Sequence, residues 1–407
     1  MPAPDVVITG LGLVTAAGIG TAATWQGVCA GRSPAVRQPQ LDGLGVDFAC
    51  HVPQFDADAI LGKRLARTLD RGHQFALTAA MEAVADAGLD PRGWDGTRVG
   101  VVLGSAIGGI ASLEDAHGRL LRQGPRAVPP LTMPKVLNSM VAGQVARVLE
   151  ARGPSLASSA ACASGSAALH LARDLLRAGS ADIMICGGVD ASLTPLVVAA
   201  FDRLGALSRR RDDPAAASRP FDADRDGFVM GEGAGVLVLE RAAGARARGR
   251  TPYAGLAGCG STNDCHHPTA PDPEGRGAEA AIRLALADAG ADLADVDHIN
   301  AHGTGTRLND AVEAQHMHRL MPAGVPVTAN KGVLGHTLAA SGAIEAALTA
   351  LTLREGMIPP VANLDRQDPD IKLDMVTGQA RSADIELALS NSFGFGGHNV
   401  VLALAQP

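Results

Sequence analysis

The cysteine of SSAACASGSAALHLARDLL, residues 158–176, stands where a thiol can act as a nucleophile. Cys162 is flanked by alanines, serines and a glycine and lies directly before a predicted helix. A helix N-terminus offers unpaired N–H groups and the positive end of the macrodipole, and both favour the thiolate. The small neighbours leave room for an acyl group. The plain alternative is one more small buried cysteine.

Three further segments carry groups that could assist such a thiol. In NAHGTGTRLNDAVEAQ, residues 300–315, His302 ends a short apolar strand and precedes a glycine–threonine turn that lets a ligand approach the backbone; Asp310 is the predicted start of the next helix. In NKGVLGHTLAASGAIEAALTAL, residues 330–351, Lys331 and His336 share a glycine-containing loop, with Glu345 in the first turns of the helix that follows. A lysine, a histidine and an acid held together can tune one another's protonation. In SNSFGFGGHNVVLAL, residues 390–404, Phe393 and Phe395 alternate with glycines between two strand-like runs, which points to a gate or pocket wall, against the plainer reading of a tight hairpin. No helix opens after GFGG, so it is not a nucleotide fingerprint. His316 and His318 are two apart and do not share a helix face, His170 follows Cys162 on its helix, and His266 and His267 sit in a loop that could line a site. No H-E-x-x-H or comparable spacing is present, so no metal is expected.

The elements that must position these residues alternate. Strand-like runs at Val6–Thr9, Val99–Leu103, Ile183–Cys186 and Val236–Leu239 interleave with helical patterns at His73–Ala87 and Ser164–Ala178. After the basic stretch RAAGARARGR the alternation restarts: strands near Tyr253–Ala257, His298–Asn300, Val325–Ala329 and Ile385–Leu389, helices at Ala278–Ala289, Asp310–Leu320 and Ala339–Leu353. Repeated βα units imply helices packed on sheet faces. Two such series predict an α/β protein of two similar halves, residues 1–250 with the cysteine and 251–407 with the histidines.

Composition narrows the function classes. Apolar residues at 46 % and charged residues at 19 % fit a folded globular chain. Aromatics at 3 % disfavour base stacking, and a net charge of −7 gives no general attraction to nucleic acid or anionic membrane. The six cysteines are dispersed with no C-x-x-C pair, so neither a zinc knuckle nor a disulfide framework is indicated. The N-terminal MPAPDVVITGLGLVTAAG lacks a basic n-region and reads as strand and loop; a soluble cytoplasmic protein is expected. The clusters Lys63, Arg64, Arg67, Arg71 and Arg209–Arg211 are local positive charge that an acidic partner could use.

Taken together, the four segments resemble the β-ketoacyl-[acyl carrier protein] synthases, the elongating type II group of the thiolase superfamily. The likeness runs from VVITGLGLVTAAG to SFGFGGHN and includes GSAIGG (104–109), NSMVAG (138–143), RPFDADRDGFVMGEGAG (219–235) and HPTAPDPEGRGA (267–278), in that order. The resemblance implies a five-layer αβαβα thiolase-like fold. It implies that Cys162 accepts the acyl chain and that His302 and His336 promote decarboxylation of a malonyl unit. Lys331 and Glu345 would be supporting charges, and the N–H of Phe395, a gating residue, would join that of Cys162 in an oxyanion hole. Ile107 and Phe201 would shape the acyl channel, with Thr304 and Thr306 beside the carrier's phosphopantetheine arm and Phe393 as a further substrate-binding wall. The implied partners are acyl carrier protein and a second subunit, either another copy or a chain-length-factor-like chain. No cofactor of its own is implied.

Two positions depart from the family pattern: Ala160 where threonine is frequent, and Arg307 where proline is frequent. Arg307 and the HPTAPDPEG segment lean toward a type II polyketide role over fatty-acid elongation. The alternatives are a thiolase-like acyl-CoA condensing enzyme, disfavoured because no second cysteine follows His336, and a non-catalytic partner subunit, disfavoured by the intact Cys162.

Overall fold

The computed structural model describes residues 2–321 and 324–407; Met1, Pro322 and Ala323 lie outside them. Strand β1 (Val6–Thr15) is buried along its whole length, as a run of aliphatics and glycines covered on both faces should be. It is followed by α1 (Arg71–Asp86), β2 (Val99–Gly104), α2 (Ile110–Gln123), α3 (Ser139–Val148), β3 (Ser155–Ser158), α4 (Ser164–Arg177), β4 (Ile183–Asp190), α5 (Pro195–Arg203) and β5 (Gly233–Arg241). The strands lie in the order β3-β2-β4-β5-β1, parallel across β3, β2 and β4 and antiparallel at β4–β5 and β5–β1.

The second series repeats this arrangement. It comprises β6 (Ala254–Asn263), α6 (Arg276–Ala289), β7 (His298–Asn300), α7 (Arg307–Leu320), β8 (Pro326–Thr328), α8 (Ser341–Glu355), β9 (Leu387–Gly394) and β10 (His398–Ala405). Its order is β8-β7-β9-β10-β6, parallel across β8, β7 and β9 and antiparallel in the remaining pairs. The first strands of the two series pair at Val7–Gly255 and Ile8–Ala254, which joins the sheets.

Helices α1 and α3 cover the outer face of the first sheet, and α6 with α7 that of the second. Helices α4 and α8 lie between the sheets and touch both. Every residue of α8 from Ser341 to Leu353 is buried, as its lack of a polar stripe requires. The layers are therefore αβαβα, the fold class that the sequence resemblance implied.

Most predicted strands run longer than their sequence signal, and α2, α3, α5 and β3 were not anticipated. Helix α7 starts at Arg307, ahead of Asp310, because the Thr306 hydroxyl accepts the Asn309 N–H at 3.3 Å and caps it. Among the described residues no helix is long and apolar enough to cross a membrane.

Candidate active site

Cys162 sits on a sharp elbow between β3 and α4. Ala161, just before it, is held at φ +47°, a left-handed conformation that costs an alanine strain and turns the next side chain out of the strand direction. Ser164 pins the elbow: its hydroxyl accepts the Ala160 N–H at 2.9 Å and donates to the Ala161 carbonyl at 2.6 Å. The hairpin between β9 and β10 closes over the cysteine. A Cβ at Gly394 would stand 2.7 Å from the Ala160 carbonyl and 3.1 Å from the Cys162 nitrogen, so only glycine permits this approach. The approach brings the Phe395 N–H to the Cys162 sulfur, alongside the cysteine's own N–H. Two N–H donors on one side of a nucleophile can stabilise an oxyanion formed there.

The resting thiol differs from the sequence expectation. Its site is buried, and burial pushes the Cys162 thiol up to about 11, against the opposing pull of Lys331 and the two N–H groups. The helix terminus does not outweigh desolvation, so the thiolate needs a proton acceptor. His336 is in place for that: its Nε2 lies 3.1 Å from the sulfur and its Nδ1 3.1 Å from the Ser341 hydroxyl.

The His302 ring is 5.5 Å from that of His336, nearly perpendicular to it. Lys331 Nζ lies 3.4 Å from His302 Nδ1 and donates to the His302 carbonyl and to Glu345 Oε1, both at 2.6 Å. An ammonium donor on Nδ1 leaves the proton of a neutral imidazole on Nε2. Both imidazoles stay neutral: burial first, then the Lys331 charge, holds them well below the usual histidine range. Burial pushes the Glu345 carboxyl up to about 7 despite Lys331. Lys331 is itself buried.

Helix α7 braces the His302 turn from below. Glu313 accepts the N–H groups of His302 at 2.7 Å and Gly303 at 2.8 Å, and Asp310 accepts those of Phe221 at 2.8 Å and Gly305 at 3.2 Å. Burial raises the Glu313 carboxyl to about 7. On the other side Asp190, at the end of β4, accepts the N–H groups of Ala106 and Ala339, each at 3.1 Å, and the Ser192 hydroxyl at 2.7 Å. Burial pushes it up to about 6. One carboxyl thus fastens the loop after β2 to the loop that follows His336.

These groups open onto a cavity of about 380 Å³ lined by Cys162, His302, His336, Phe201, Phe393 and Phe395, with Thr304, Thr306, Arg307 and Leu308 among its other walls. Ile107 does not line it; it packs in the apolar cluster that holds Cys162, Phe201 and Leu338. Phe393 lies within β9, so the tight hairpin is real and its residues still form pocket wall. His266 and His267 are exposed and do not line this cavity; His267 Nδ1 accepts the N–H groups of Thr269 and Ala270, while the neighbours Asp264, Thr269, Ala270 and Pro271 reach it. Sequence reasoning missed Phe228, Asp190, Ser341 and Glu313. Phe228 was visible only as part of RDGFVMGEG, and Glu313 only by its i, i+3 spacing from Asp310.

The basic clusters divide. Arg71 is held by buried Glu232 at 2.6 Å, Arg209 by Asp202 at 2.9 Å and Arg211 by Asp47 at 2.6 Å. Lys63, Arg64 and Arg67 are exposed, with no ion pair among the described residues.

Comparison with known proteins adds the following. Residues 3–245 match the model of the β-ketoacyl synthase N-terminal domain and residues 253–365 that of the C-terminal domain. The chain is 43 % identical over 404 residues to a 3-oxoacyl-[acyl-carrier-protein] synthase 2 of Synechocystis sp., covering 98 % of this chain and 97 % of that one. The structure of a type II polyketide synthase acyl-carrier protein in complex with its ketosynthase bound to the hexaketide superposes with a TM-score of 0.92 at 33 % identity, covering 99 % of each chain. The ishigamide ketosynthase/chain length factor superposes with a TM-score of 0.91 at 35 % identity, again over 99 % of each chain.

Proposed function

The chain belongs to the β-ketoacyl synthase family, and on that premise we propose how it acts: as a 3-oxoacyl-[acyl carrier protein] synthase condensing an acyl chain with a malonyl unit through Cys162, His302 and His336. The observation that carries this reading is the contact of His336 Nε2 with the Cys162 sulfur at 3.1 Å, with the Lys331-oriented ring of His302 5.5 Å from that of His336.

In the first half-reaction His336 Nε2 takes the thiol proton as the sulfur attacks the carrier thioester. The tetrahedral oxygen meets the N–H groups of Cys162 and Phe395, and the carrier thiolate leaves with the proton from His336. The Ser341 hydroxyl can accept from or donate to His336 Nδ1, so the ring can serve as a base here and as an Nε2–H donor next. In the second half-reaction the malonyl C–C bond breaks, CO₂ departs, and the electron pair forms an enolate whose oxygen receives the Nε2–H groups of both histidines. The enolate carbon attacks the Cys162 thioester, and collapse expels the cysteine thiolate, which takes up a proton from solvent to restore the thiol. Lys331 and Glu345 orient His302, and the scheme uses no metal or redox group.

The pantetheine arm would enter past Thr304 and Thr306, with Phe201 and Phe395 at the acyl end and Ile107 behind them. The acidic carrier would dock through Lys63, Arg64 and Arg67, which are exposed and make no ion pair among the described residues. The second subunit, a copy or a chain-length-factor-like chain, would cover the edge strand β3, where Leu156 is exposed, and the exposed Leu113, Leu120, Leu131, Met133 and Leu137. The reaction would take place in the cytoplasm, in type II polyketide or fatty-acid synthesis. Incubation with acyl carrier and malonyl carrier should give the 3-oxoacyl carrier two carbons longer and a transient acyl adduct on Cys162 by mass spectrometry. Absence of both would sink the reading.

A further inference from the structure

The aromatic side chains of the site form an unbroken series of ring contacts. His316 meets Phe393 at 5.8 Å between centroids and 71° between planes, and Phe393 meets His302 at 5.8 Å and 61°. The series continues from His302 to His336, from His336 to Phe228 at 5.1 Å and 81°, from Phe228 to Phe201 at 5.5 Å, and ends at Phe395 at 6.3 Å. In a chain with 3 % aromatics this concentration is selective. Edge-to-face contacts fix the relative tilt of neighbouring rings as well as burying area.

His316 is the outermost ring and lies outside the cavity that holds Cys162. It projects from α7, one turn from Glu313, and is buried to 1 % exposure. Its Nδ1 has no hydrogen-bond partner among the described residues, so polar pairing does not explain its burial. Burying an unpaired ring nitrogen is costly, and a leucine there would avoid that cost. Burial, then the Arg319 charge, pushes its pKa down to about 4, so the ring is neutral and acts by shape. Its neighbours are Phe393 on one side and Gly275 on the other, where a Cβ would come within 3.0 to 3.3 Å of the imidazole carbons. A cavity of about 20 Å³ borders both His316 and Phe393, so the packing behind Phe393 is incomplete.

We propose that His316 is a positioning residue for the decarboxylation step: it braces Phe393 from behind, and Phe393 in turn fixes the plane in which His302 presents its Nε2–H. The proposal rests on the assignment of His302 to decarboxylation made above. It requires a ring at position 316 and does not require a nitrogen.

The test uses the full-length protein and follows two reactions separately: decarboxylation of malonyl carrier and self-acylation of Cys162. The variants are H316A, H316L, H316F and H302A, each checked by thermal melting. H316A and H316L should lower kcat for decarboxylation about tenfold, with KM for malonyl carrier and the rate of self-acylation within about twofold of the parent. H316F should recover most of the loss. H316L keeps side-chain bulk without a ring, so it guards against a collapse of H316A. The proposal fails if both H316A and H316L decarboxylate at the parent rate, if H316F is no better than H316L, or if self-acylation falls in step with decarboxylation. Undiminished decarboxylation by H302A would overturn the assignment of His302 itself, and the bracing with it.

Discussion

In both halves the second and third strands end at one level, and the central helix begins beyond the third. In the first half those ends carry Ser105–Ile107 after β2 and Cys162 after β3; in the second they carry His302 after β7 and Lys331–His336 after β8. Cys162 and His336 thus occupy matching places in matching frames, and α4 and α8 start just past them. The fourth strands diverge likewise: β4 ends in Asp190, which ties two loops together, whereas β9 ends in the Phe393–Phe395 hairpin. Ligands in α/β proteins gather at crevices outside strand ends. Two such crevices facing each other set a thiol in apolar surroundings in one against imidazoles and their supporting charges in the other.

If this division is right, removing the single reactive group of the first half and those of the second should give different defects. C162A should lower condensation by ~10³-fold or more while malonyl decarboxylation continues. H302A should lower decarboxylation by roughly 10²- to 10³-fold, more than it lowers acyl transfer by a small thioester, whereas H336A, which also removes the proton acceptor of Cys162, should lower both. Parallel rate assays of the two half-reactions check this, and equal losses in both for all three variants would dissolve the distinction between the halves.

Asp190 is where the first half reaches into the second. D190N should cost about 1 kcal/mol in stability, because its amide oxygen can keep the Ala106 and Ala339 N–H groups but the Ser192 hydroxyl then faces an NH₂ and must turn from donor to acceptor. The pH dependence has a definite sign. Burial raises this acid from 3.8 to about 6 in the folded state, so the folded protein holds the proton more tightly than the unfolded chain. That contribution is fully present below pH 3.8 and is lost as pH rises through about 6. The stability gap between parent and D190N, measured by denaturant titration, should therefore narrow between pH 4 and 6.5. A gap that widens over this window would show the carboxyl to be ionised throughout.

The smallest expected effect lies on the surface. Reversing Arg64 and Arg67 to glutamate should raise KM for acyl carrier a few-fold, on the order of 1 kcal/mol, with the difference shrinking at high salt. Turnover of a small thioester should not change. Equal KM for carrier in parent and variant would move docking to another face.

Much of the site was legible because its groups sit at strand ends beside small residues, where a reactive side chain stands out. Cys162, His302, Lys331 and His336 all converge. The acidity of Cys162 was misjudged because a helix terminus can be read in sequence and the depth of burial cannot. Strand β1 was cut short at Thr9 because glycines read as breaks; Gly12 lies there because α1 presses on the strand, and a Cβ would meet the Ala79 carbonyl at 1.9 Å. Strand β3 was invisible for the opposite reason: Ser155–Ser158 is a largely exposed edge with no apolar pattern. The ion pairing of Arg71 and Arg211 depends on Glu232 and Asp47, acids far away in the chain, and no local window reveals it.

That edge has a practical consequence. A strand with open N–H and C=O groups, an exposed Leu156 and no lysine or proline between Ser155 and Ser158 invites addition of strands from any neighbouring chain. A copy that pairs with itself would hide this surface as soon as it folds and should express in soluble form alone. One that needs a different subunit would stay exposed until that subunit arrives, and should aggregate unless the two are co-expressed.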